Sequence, residues 1–166
     1  MTISFYSGGV AGNTRSWLNN NSTQTAVSSA TTVNSYTIPG NTLEADGDAI
    51  QISWTFTITG TPINMQIRNL LAGSLLVGNS YVAASGTFIA QNTILILRTS
   101  ANTYALNASS LSYQVPTAPT VVITTTESTP LGSGTWADAQ ILLGEVNAYT
   151  AGTVTNNLWT VTLYTS

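Results

Sequence analysis

From Ile50 to Ile58 the even positions are Ile50, Ile52, Trp54, Phe56 and Ile58, and the odd ones are Gln51, Ser53, Thr55 and Thr57. Side chains on a strand alternate between its two faces, so this run dictates a β-strand with one face in a core and one in water. Ahead of it, Ile38-Pro39-Gly40-Asn41 reads as a turn, because proline pre-sets one dihedral and glycine tolerates the positive φ that follows. Asp46-Gly47-Asp48 then reverses the chain into the long strand.

The remaining segments read as strands that cover this one. Residues 23–38 give one or two β-rich strands, and Ile63, Met65 and Ile67 alternate with Asn64, Gln66 and Arg68. Residues 70–78 resemble a hairpin around Ala72-Gly73-Ser74. Gly86–Thr99 is expected as a long strand pair, within which Ile94-Leu95-Ile96-Leu97 is too apolar for a one-sided strand. That run is expected either to be buried on both faces or to lie at a subunit interface. Short strands are expected at Thr103–Leu106, Leu111–Gln114, Val121–Ile123, Gln140–Val146 and Leu158–Tyr164, with residues 125–136 a loop. No segment holds a helical period over three turns, and turn signals recur every 8 to 12 residues. That spacing predicts an all-β, jelly-roll-like antiparallel β-sandwich in a single domain, residues 23–166. Residues 1–22, polar and rich in glycine and asparagine, are expected as an extended N-terminal arm.

Charge narrows the possible functions. Charged residues make up 5% of the 166, against about 25% in a usual domain. The cations are Arg15, Arg68 and Arg98; the anions are Glu44, Asp46, Asp48, Glu127, Asp138 and Glu145. Three scattered arginines and a net charge of −3 exclude nucleic acid as a partner, and the same scarcity disfavours an anionic membrane surface. No apolar run approaches the ~18 residues of a membrane helix. The start, Met1-Thr2-Ile3-Ser4-Phe5, lacks the basic and apolar regions of a signal peptide, so synthesis in a cytoplasm is expected. Without cysteine there is neither a disulfide framework nor a thiolate metal site. A surface wetted by hydroxyls and amides, with little charge to keep copies apart, suits a protein meant to associate.

Catalytic side chains are scarce. Histidine, cysteine and lysine are all missing, so neither an enzyme nor a cofactor is expected. Glu44, Asp46 and Asp48 form an acidic cluster with three readings: the solvated tip of a turn, oxygen ligands for calcium, or a catalytic pair. Arg68 and Arg98 are expected to pair with Glu145 or Asp138 across a sheet. Trp54 and Trp159 fall in alternating strands and belong to a core or an interface. Trp136, in a Gly-Ser-Gly-Thr-Trp loop, is the best candidate for an exposed aromatic.

Tyr36-Thr37-Ile38-Pro39-Gly40-Asn41-Thr42-Leu43, followed by Asp46-Gly47-Asp48 and the alternating strand, resembles the Y-T-[IL]-P-x-N-T-L-x-x-(D/N)-G-D segment of tailed-bacteriophage virion proteins. These are small jelly-roll modules of capsid decoration (cement) proteins and fibres. The motif covers residues 36–58, and the layout covers 23–166. The resemblance implies a homotrimer on the capsid exterior of the virion, bound to the major capsid protein and bracing the shell against packaged DNA. Phe5, Tyr6, Trp17 and Leu18 of the arm are the expected docking residues. Deleting residues 2–22 is accordingly expected to abolish attachment and leave the trimer folded. A receptor-binding tail fibre or baseplate module is the alternative within the virion. Outside it stands a free carbohydrate-binding module using Trp136 and Tyr149.

Overall fold

The computed structural model describes the backbone of residues 3–7, 13–19, 22–25, 29–60, 65–81, 87–114 and 120–165. Its elements are β1 (Ile3–Ser7), β2 (Asn13–Asn19), β3 (Ser22–Thr25), β4 (Thr31–Ile38), β5 (Ala49–Thr59) and β6 (Met65–Leu71). They continue with β7 (Ser74–Tyr81), β8 (Thr87–Ser100), β9 (Thr103–Gln114), β10 (Thr120–Pro130), β11 (Gln140–Val146) and β12 (Thr153–Thr165). One sheet runs β1–β2–β12–β5–β8–β9–β10, with β3 also on β12; the other runs β4–β11–β6–β7. Every pairing is antiparallel.

β2 and β3 lie end to end along one side of β12, opposite Trp159–Thr165 and Thr153–Asn156 respectively. Taken as one strand, they make the sheets β2/β3–β12–β5–β8 and β4–β11–β6–β7. That is the strand order of a jelly roll, with the β9–β10 hairpin appended beyond β8 and β1 beyond β2. The residues expected as a free arm therefore include two strands joined to the larger sheet by main-chain pairing.

The alternating run behaves as its pattern requires. Ile50, Ile52, Trp54, Phe56 and Ile58 are all buried, facing the second sheet. β12 shows how a buried face survives a change of phase. Val154 and Asn156 point inward from even positions, whereas Trp159, Val161 and Leu163 do so from odd ones. The register slips between Asn156 and Leu158, where Asn157 forms a β-bulge that resets the parity. β8 is one-sided. Ile94 and Ile96 are buried, and Leu95 and Leu97 stand exposed on the outer face, which removes burial on both faces within one chain. Three further expectations are corrected. Where a strand pair was expected over Gly86–Thr99, Thr87–Ser100 is the single strand β8, paired with β5 as far as Leu97. Residues 103–114 form one continuous strand, because β8 pairs along almost the whole of it. Residues 125–130 extend β10 against Thr103–Asn107, where a loop was expected.

The centre of the sandwich is polar as well as apolar. Across the larger sheet, Trp159, Trp54, Asn92 and Ser110 sit side by side; across the smaller one, Asn34, Gly144, Asn69 and Val77 do. The Trp54 ring fills the gap above Gly144, where a Cβ would lie 3.0 Å from Trp54 Cζ3. Trp54 Nε1 donates to Asn156 Oδ1 at 2.7 Å, and Asn156 Nδ2 donates to Asn34 Oδ1 at 2.9 Å. A buried polar group without a partner costs about 1–3 kcal/mol, so this chain of bonds is what makes three polar side chains tolerable here. Phe56 adds an edge contact to the Trp54 ring, with centroids 5.4 Å apart.

Asn156→Leu removes the acceptor of the Trp54 indole and the donor to Asn34 Oδ1. It should lower unfolding free energy by roughly 2–4 kcal/mol. Gly144→Ala should lower it by about 1–3 kcal/mol through overpacking. An unchanged urea midpoint in both variants would remove the tie as a stabilising element.

Candidate functional site

Three loops meet at one end of the sandwich: residues 39–48, the β8–β9 turn near residue 101, and residues 131–139. Most candidate side chains from the sequence fall here. Pro39 and Gly40 open the first bend, but the positive φ expected at the glycine falls on the residue after it. A Cβ on Gly40 would collide with the Ala137 carbonyl oxygen, so the residue allows the loops to touch. Asn41 then takes a positive φ of 58°, and its N–H donates to the Trp136 carbonyl at 3.1 Å.

The acidic cluster is divided among separate tasks. Asp48 is 3% exposed, and its Oδ2 accepts from the backbone N–H groups of Glu44 at 2.7 Å and Ala45 at 2.9 Å. It is the internal brace of the turn, where a solvated tip was one expectation. Asp46 stays exposed and accepts from Arg98 Nε at 3.2 Å. The same guanidinium donates through Nη1 to the Leu43 carbonyl, and the backbone of Arg98 bonds Gly47 and Asp48. Arg98 thus ties the loop to β8 through both side chain and main chain. Its partner is Asp46, neither Asp138 nor Glu145, whereas Arg68 does pair with Glu145 at 3.9 Å across β6 and β11. No group of three acids among the described residues is arranged to hold a metal ion.

Trp136 is 2% exposed. Its Nε1 donates to the Thr103 carbonyl at 3.2 Å, and its N–H to the Ala101 carbonyl at 2.9 Å. Asp138 holds the strap around it, accepting from the Thr135 N–H at 2.9 Å and hydroxyl at 3.2 Å. Tyr149 is 3% exposed. The two aromatics expected to stack on a sugar are therefore buried, and they lie at opposite ends of the sandwich: Trp136 beneath these loops, and Tyr149 in the β11–β12 connection beyond Val146. What the loops leave outside is an open depression of about 410 Å³, lined by Asn41, Glu44, Arg98 and Thr135 among others. Leu43, Ala101, Trp136 and Ala137 complete a lining of mixed character, whose one acid is the exposed Glu44. Glu44 and Arg98 give it one charge of each sign, and the buried Trp136 offers little ring surface as a platform.

The side chains of Phe5, Tyr6, Trp17 and Leu18 lie outside the described residues. Their backbones are placed: Phe5 opposite Ser16, Tyr6 opposite Arg15, Trp17 opposite Val161 and Leu18 opposite Thr160. Sequence reasoning missed the Asn34–Asn156–Trp54 tie. Its only trace is asparagine at inward positions of otherwise apolar strands. Comparison with family models, curated proteins and solved structures finds no match to this chain.

Three outcomes are expected. Asp48→Ala should destabilise by about 1–3 kcal/mol, since it leaves two N–H groups without their acceptor, while Asp46→Ala, an exposed ion pair, should cost at most about 1 kcal/mol. Equal effects in denaturant melts would contradict this division. Calcium at millimolar concentration should leave the melting temperature unchanged. Burial pushes the Tyr104 phenol above its ordinary 10.0. The unfolded chain therefore sheds that proton first as pH rises, and stability should fall above pH 10. Tyr104→Phe should flatten that alkaline loss in melts taken across the range.

Proposed function

We propose that this chain is a bacteriophage virion structural protein, a homotrimeric capsid decoration (cement) protein. It binds the outside of the shell built by the major capsid protein and stabilises it. The observation that carries the reading is where the phage-like segment falls. Tyr36–Ile38 closes β4, Pro39–Asp48 is the interlocked loop, and Ala49–Thr59 is a central strand of a jelly roll. A resemblance confined to some twenty residues thus coincides with the architecture it implied.

The local chemistry supports the same reading. A protein that resists pressure by binding needs a stiff body and adhesive surface. The loop end is braced by Arg98, Asp48 and the Trp136 strap, and the outer surface is dominated by hydroxyls, amides and exposed aliphatics. The carbohydrate-binding reading loses its two aromatic side chains to the core.

Docking through the N-terminal segment is now a question for point substitutions. Deleting residues 2–22 removes the strand that covers Trp159–Thr165 of β12, so it should lower stability and promote association through the bare edge. Phe5→Ala and Leu18→Ala, at positions in register with Thr162 and Thr160 on the outer face of β12, separate attachment from folding more cleanly. The test of the function as a whole is copy number in purified particles, measured by quantitative mass spectrometry against the most abundant shell protein. Near-stoichiometric abundance is expected. A few to a few dozen copies would move the protein to the tail, and absence would end the virion reading.

A further inference from the structure

We propose that the outer face of β12–β5–β8–β9 is the surface through which a second copy of this chain packs. The inference rests on the self-association contained in the proposed reading, and it needs nothing from the shell.

The two outer faces of the sandwich differ in charge. On the smaller sheet, Arg68 and Glu145 face outward as an ion pair. On the larger sheet, the outward positions of these four strands carry no charged residue among the described ones. They present exposed aliphatic and aromatic side chains, Ile89 (50% exposed), Leu95 (41%), Leu97, Leu158 and Tyr164, around a middle band of Thr and Ser. All are outward by register: Leu95 is opposite Gln51, which is opposite Thr162, and Tyr164 donates its hydroxyl to Gln51 Oε1 at 2.9 Å along that face.

The occupant follows from charge and area. An ordinary protein surface carries charge at about one residue in four, and desolvating those groups against a face that cannot pair them is costly. A face equally free of charge avoids that cost, and the one such surface in hand is this chain's own. Hydroxyls both donate and accept, so a Thr/Ser band can satisfy a copy of itself. Four strands about 4.8 Å apart, paired over eleven residues at about 3.4 Å each, span roughly 700 Å² in projection. A standard stable interface takes about 800 Å² from each partner. The face is of the right size to be covered by a copy.

The experiment is sedimentation of the full chain across a concentration range, beside Leu95→Lys, Ile89→Lys and, on the opposite face, Ile141→Lys. The wild type and Ile141→Lys should sediment as an oligomer. The other two should shift to the 17.4 kDa monomer while keeping the wild-type circular dichroism spectrum. If either lysine unfolds the chain, Thr93→Lys on the same face takes its place. A wild type that stays monomeric overturns the inference, and so do folded Leu95→Lys and Ile89→Lys variants that remain associated. A dimer lost with these lysines supports the face and removes the trimer from the proposed reading. An oligomer lost with them, in a protein absent from particles, supports the face and removes the shell.

Discussion

The interior depends on one hydrogen-bonded tie between its two sheets. Trp54 of β5 donates to Asn156 of β12, and Asn156 reaches across to Asn34 of β4. Purely apolar layers can slide past one another at little cost, because the hydrophobic effect has no direction. An amide pair has direction, and it permits one offset between the sheets. Two irregularities support it. The bulge at Asn157 turns both Asn156 and Trp159 inward, and Gly144 leaves the space the Trp54 ring occupies. The register shift in β11 falls immediately after Gly144, so both sheets bend at the level where they are tied.

The loop end repeats this design with different chemistry. Arg98 closes the first loop against β8, and Trp136 closes the third against the β8–β9 turn. Charged residues are few, and Asp48, Asp46, Arg98 and Asp138 are all used in holding loops. The larger sheet's outer face is left with hydroxyls and aliphatics. Scarce charge is thus concentrated where the backbone needs bracing and, among the described residues, absent from that outer face.

Much of this was legible in the chain, and the reason differs by residue. The 50–58 strand, the Pro39-Gly40 turn and the 72–74 hairpin are local, encoded by period and by turn chemistry, and they appear where expected. The Arg98–Asp46 pair and the Asn34–Asn156 pair join residues 52 and 122 positions apart, and no local pattern specifies such partners. Trp136 looked exposed because its neighbours Gly132, Ser133 and Gly134 are loop formers. They are small and bendable so that the strap can fold over the ring. For Leu95 and Leu97 the apolar run allows burial on both faces or a subunit interface, and their exposure removes the first alternative.

The strand order also has a consequence for how the protein is made. β12 is the sole link between β2/β3 and β5 in the larger sheet, and β11 is the sole link between β4 and β6 in the smaller one. Both linking strands follow all their neighbours in sequence. During synthesis, each sheet therefore waits in two unjoined pieces until residues 140–165 emerge, with four strand edges bare. Contacts of such long sequence separation form slowly. In a crowded cell the nascent chain passes through its most adhesive state just before the fold closes, and low charge offers it little protection. The strands made last are thus the ones that hold each sheet together.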